Sequence, residues 1–163
     1  MASFDEHISQ AKQNLAFLGE VNSYSNDKWD WQVTICFYSA VHLMNAHIVA
    51  KTNTNYLSHK KVESALNPYG LSPARLDVNT FNSYNKLCIL SRRSRYLLQE
   101  GFDINNPLQI ASSTYSKHMK KAIYHLDAIL IYIRDNYPST FQDINIKCAD
   151  LKGLTFQNFK IVA

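Results

Sequence analysis

Apolar residues recur at helical spacing along most of this chain. Phe4, Ile8, Ala11, Leu15 and Leu18 keep a 3.6-residue period and predict a first helix from Ser3 to about Val21. Ser3 stands at the capping position, with Asp5 and Glu6 in the first turn, where the helix dipole favours acids. The polar stretch NSYSND reverses the chain. Residues 31–50 then run for twenty positions without Asp, Glu, Lys or Arg. On a helix, Val33, Phe37, Val41, Met44 and Ile48 form one face, and Ile35, Leu43, Ala46 and Ala50 fill much of the rest. Only a narrow polar line breaks this surface: Thr34, Tyr38, His42 and Asn45. A helix apolar nearly all round belongs in the middle of a bundle. Its length suits a bilayer, but Gln32, His42, Asn45 and His47 are costly in lipid, so no membrane span is expected. Ser25, Asn26 and Asp27 are expected to cap it.

Ser58 opens a short helix that reaches Asn67, and Asn67-Pro68-Tyr69-Gly70 is a turn. A long helix follows from Ala74 or Asp77 to Leu98, with Phe81, Tyr84, Leu87, Cys88, Ser91 and Ser94 on its core face. Arg92 and Arg95 fall at the edge of that face, and Arg93 points elsewhere. Gly101 ends this helix, 103–106 is a loop, and Pro107 suits the first position of a last helix running to Tyr137. That helix carries one stripe of Tyr115, Met119, Ala122, Leu126, Ile129 and Ile133, and a second of Ile123, Leu130 and Tyr137. The second stripe suggests another copy of the chain, hence a homodimer through 107–137. The tail after Ser139 reads as a short helix from Thr140 with an extended end, or as a small hairpin. The fold class is all-α: an up-and-down bundle of four to five helices over 1–138, with 139–163 as an extension packed on it.

With 163 residues, 46% hydrophobic and 18% charged, the chain supports one folded domain. Four glycines and four prolines leave little turn chemistry for a many-stranded β fold. Cys36, Cys88 and Cys148 are an odd number without a CxxC, which reads as reduced thiols of a cytoplasmic protein. MASFDEHISQ lacks the basic and apolar regions of a signal peptide. A net charge of +4 is too mild to indicate a nucleic-acid binder by itself. Its distribution is more informative, because Lys60 joins Lys61, Arg92 joins Arg93 and Arg95, and Lys117 joins Lys120 and Lys121.

Arginine suits phosphate because its planar fork makes paired, charge-assisted hydrogen bonds. Arg92 and Arg95, beside Ser91 and Tyr96, are therefore candidate phosphate ligands, with Tyr38 and Asn45 from the polar line facing them. His42 and His59 are weaker candidates for acid–base chemistry. The plainer alternative pairs the arginines with carboxylates or water and makes His42 a satisfied core residue. His118 and His125, seven residues apart, lie about 10 Å apart along a helix axis, too far to share an ion. With no HExxH, no glycine-rich phosphate loop and no GxSxG, neither metal nor cofactor is expected.

The phrases FYSAVHLMNAHIVAK, SHKKVESALNP and SYNKLCILSRRSRYLL, in that order, resemble the HEPN superfamily of small helical bundles over residues 5–137. The resemblance implies a four- or five-helix bundle, commonly homodimeric, found in bacterial conflict or stress systems or beside nucleotidyltransferases. Many members are metal-independent ribonucleases marked by an arginine followed a few residues later by a histidine on one helix. Here YLLQEGFDINNP follows Arg95, without that histidine. The expectation is a non-catalytic binding or regulatory module for a nucleotide, RNA or partner protein, such as a nucleotidyltransferase, in a toxin–antitoxin-like setting. The alternatives are a ribonuclease with a non-standard Arg/His site and a pure protein-interaction bundle.

Overall fold

A computed structural model describes residues 1–56, 58–97 and 113–162. Among the described residues five helices and two short strands follow in order: α1 (Phe4–Tyr24), α2 (Trp29–Thr52), α3 (His59–Leu66), α4 (Val78–Tyr96), α5 (Ser116–Asn136), β1 (Ile144–Lys147) and β2 (Phe159–Val162). The molecule is an all-α bundle with a small C-terminal extension.

The helix ends follow from local chemistry. Ser3 Oγ accepts the Glu6 N–H at 3.2 Å while Glu6 accepts the Ser3 N–H at 2.7 Å, a reciprocal cap that starts α1. Asp77 accepts the N–H groups of Asn79 and Thr80 and the Thr80 hydroxyl, and starts α4. The expected Ser25-Asn26-Asp27 cap of α2 is not formed. Ser25 instead donates its N–H to Val21 to close α1, which runs one turn beyond Val21, and α2 begins after Lys28 without a side-chain cap. At the far end of α2, Asn53 takes the left-handed conformation at φ 51°.

α2 is the axis of the bundle and packs on α1, α3, α4 and α5. Val33, Cys36, Phe37, Ala40, Leu43, Met44, Ala46 and Ile48 are wholly buried. Length and composition alone would let this helix cross a bilayer, yet its residues are mostly covered by the chain's own helices. Its buried hydroxyls bond back along the helix, Thr34 to Asp30 and Ser39 to Ile35, so they need no distant partner. Trp29 packs against the core, whereas Trp31 is 65% exposed.

The last helix begins at Ser116, and Ser113–Tyr115 are not helical, so the helix expected from Pro107 is shorter at its start. Pro107, Gly101 and the 103–106 loop lie outside the described residues. The aliphatic members of both apolar stripes of α5 are consumed within the chain: Met119, Ala122, Leu126, Ile129 and Ile133, but also Ile123 and Leu130, are fully buried, whereas Tyr115 is exposed. Ile123 and Leu130 of the second stripe therefore face the bundle's own core, while Tyr137 is half-buried.

The tail forms neither a hairpin nor a helix from Thr140. β1 and β2 run parallel, Ile144 opposite Phe159 and Lys147 opposite Val162, with a 3₁₀ turn at Ala149–Leu151 between them. Two buried side chains hold this pair to the bundle. Asn22 of α1 accepts the Lys147 N–H at 2.6 Å and donates to the Lys147 carbonyl at 3.0 Å, acting as a neighbouring strand would. Asp127 of α5 accepts the N–H groups of Gln157 and Asn158 and the Asn158 amide. At Gly19 a side chain would stand 3.2 Å from the Ile144 methyl, so β1 lies close over α1.

Candidate functional site

Three helices converge on the guanidinium of Arg95. From its own helix, Ser91 Oγ accepts the Arg95 Nε–H at 3.1 Å. From α2, the Tyr38 hydroxyl lies at 3.5 Å from Nη1, the long limit of a hydrogen bond. The cation lies 5.7 Å from the Phe37 ring centroid, 5.8 Å from Tyr38 and 5.1 Å from Tyr96. Each such contact contributes about 0.5–1 kcal/mol at a partly exposed position. Together they hold the side chain, and among the described residues neither Arg92 nor Arg95 forms an ion pair.

His59, the first residue of α3, completes the patch with its ring 5.3 Å from Phe37 and 6.5 Å from Tyr38. Burial holds its pKa below the ordinary imidazole value, and Arg95 and then Arg92 push it the same way. His59 is thus neutral at pH 7 and able to accept a proton or a hydrogen bond. Arg92 is exposed at the rim, and Glu63 stands one helical turn beyond His59.

The other expected members go elsewhere. Asn45 is buried and donates to the Val41 carbonyl of its own helix, while its Oδ1 has no partner among the described residues. His42 faces α1, with His42 Nδ1 3.1 Å from His7 Nδ1 and His7 Nε2 2.8 Å from Asn55 Oδ1. Because Asn55 donates its amide to the Ala2 carbonyl, its oxygen is turned to His7. His7 therefore carries its proton on Nε2, its Nδ1 accepts, and His42 donates from Nδ1. Burial, then His7, lowers the His42 pKa. This relay ties α1 to the loop after α2 and takes His42 out of the Arg95 patch.

Sequence reasoning assigned Phe37 to the core and missed its second role beneath the guanidinium. No spacing rule links it to Arg95, since the two meet only through the packing of α2 on α4. Burial is the leading cause that raises the thiol pKa of Cys36, Cys88 and Cys148, so all three are protonated near neutrality. Among the described residues no three His, Cys, Asp or Glu side chains are grouped to hold a metal.

The chemistry available at the patch is that of a fixed cation among aromatic faces, with one neutral imidazole beside it. No family model, curated protein or solved structure matches the chain.

Proposed function

We propose that this bundle is a non-catalytic binding module that takes a nucleotide or single-stranded RNA on the patch of Arg92, Arg95, Tyr38, Tyr96 and His59. The observation that carries the reading is the Arg95 guanidinium, fixed by Ser91 and three aromatic rings and paired with no carboxylate among the described residues. Phosphate takes the cation, and exposed Tyr38 and Tyr96 offer faces on which a base stacks. The resemblance to HEPN bundles agrees with this chemistry, and extends the proposal to a cytoplasmic, self-associating protein in a bacterial stress or defence setting. A nucleotidyltransferase-type partner belongs to the same proposal.

Fluorescence anisotropy with a labelled single-stranded RNA decamer tests it. Arg95→Ala is expected to weaken binding at least tenfold, equivalent to about 1.4 kcal/mol. Equal affinity in the wild type, Arg95→Ala and Arg92→Ala overturns the reading. The neutral imidazole of His59 beside two arginines favours one second reading, a ribonuclease with His59 as base and Arg95 steadying the phosphorane charge. Cleavage of the same RNA that disappears in both His59→Ala and Arg95→Ala would select it.

A further inference from the structure

A second cationic feature lies between α4 and α5 and shares no residue with the Arg95 patch. It is a cleft of about 370 Å³ lined by Lys86, Ile89, Leu90 and Arg93 from α4 and by Lys117, His118, Lys121 and His125 from α5. On α4 the lining residues fall at i, i+3, i+4 and i+7, and on α5 Lys117, Lys121 and His125 fall at i, i+4 and i+8. Two helical stripes therefore face each other across the cleft. Ile89 and Leu90 supply apolar wall, and every other lining side chain is a base. Among the described residues, no carboxylate lines the cleft. Arg93 and Arg95, two residues apart, project to opposite sides of α4.

Three features of the cleft favour an anion. Arg93 is pinned, because its Nε and Nη2 donate to the Ser113 carbonyl at 3.0 and 2.9 Å, which occupies two of its five donors and leaves the others without a partner among the described residues. Lys117 and Lys121 form no ion pair with a described carboxylate. The placement of the lysines also runs against helix electrostatics. α5 has no acid in its first turn, and Lys117, Lys120 and Lys121 crowd the end where the macrodipole is already positive. Among the described residues, Asp150 is an acid at this end of α5, bonded to Ser116, and it does not line the cleft. The His118 imidazole registers the convergence: after burial, Arg93, Lys117 and Lys121 are the causes that lower its pKa. His118 Nδ1 accepts the Tyr115 N–H at 2.9 Å, so its ring proton sits on Nε2 as a further donor.

We propose that the α4/α5 cleft binds a phosphate group, with Arg93, Lys117 and Lys121 as its ligands. Phosphate fits better than an acidic peptide because the donors converge from two facing helices on a small volume, and because a pinned guanidinium matches a tetrahedral oxyanion. A free phosphate ester and a nucleic-acid backbone share this chemistry. The cleft does not depend on the Arg95 patch, and either can fail alone.

The test is a titration of the ¹⁵N-labelled full chain with sodium pyrophosphate, followed by NMR at ionic strength held constant with sodium chloride. Saturable shifts are expected for Arg93, Lys117, His118 and Lys121. The double variant Lys117→Gln/Lys121→Gln, whose substitutions are on exposed positions, should weaken them at least tenfold, while Arg95→Ala leaves them unchanged. If a uridylate decamer then displaces pyrophosphate, the ligand is a nucleic-acid backbone; if it does not, the ligand is a small phosphate ester. Either result supports the site. Shifts no larger than those from sodium chloride, shifts that persist in the double variant, or a response to an oligoglutamate peptide but not to pyrophosphate would overturn it.

Discussion

His47 is almost fully buried, yet both its ring nitrogens are engaged. Nε2 donates to the Ala74 carbonyl at 3.0 Å, which leaves Nδ1 to accept the Tyr137 hydroxyl at 2.7 Å. The sequence marked His47 only as awkward in lipid, because its partners come from a turn and a helix end far along the chain. The same obstacle separated His42 from Arg95: a polar line on a helix says which residues share a face, and not which neighbour each one meets. Burial leads in lowering the pKa of His42, His47, His59, His118 and His125, with His118 brought to about 4. In the unfolded chain these rings titrate near 6.5. The unfolded state therefore takes up more protons as pH falls, and the stability held above about pH 6.5 is lost toward the folded values. The urea midpoint is expected to drop between pH 7 and pH 5, before carboxylates with ordinary values near 4 contribute. A constant midpoint over that interval would show that these rings are solvated.

Helices were the most legible elements where apolar spacing and a cap agreed. Ser3 with Glu6 marked α1, and the apolar circumference of α2 marked the bundle axis. α5 was misread at its start because its first turn holds lysine instead of the usual acid, so Pro107 was the stronger local signal. That anomaly carries a prediction at this scale. Lys117→Glu should stabilise the fold by about 0.3–1 kcal/mol through the helix dipole. The same substitution should abolish the pyrophosphate response of the α4/α5 cleft. Thermal unfolding and the NMR titration, done on one sample, check both halves. A destabilised variant would mean that Lys117 is held by contacts within the fold.

At the scale of the molecule, the bundle was readable and the tail was not. Alternation in Ile144, Ile146 and Cys148 suggested extended chain, but parallel pairing needs a connection, residues 148–158, that no periodicity announces. The pairing is imposed from outside by Asn22 and Asp127, each reached across more than a hundred or about thirty residues. Asp127→Ala leaves the Gln157 and Asn158 N–H groups without their acceptor and should cost about 1.5–3 kcal/mol, measured by urea unfolding. An unchanged midpoint would mean that the tail holds without this anchor. The two indoles of the chain fall on either side of this event. Trp29 lines a groove with Phe156 and Phe159 of the tail, while Trp31, two residues on, faces solvent. Detachment of the tail wets one indole and leaves the other as it was. The protein thus carries its own optical gauge: a red shift in the emission of a Trp31→Phe variant reads the docking of its last residues, with no label attached.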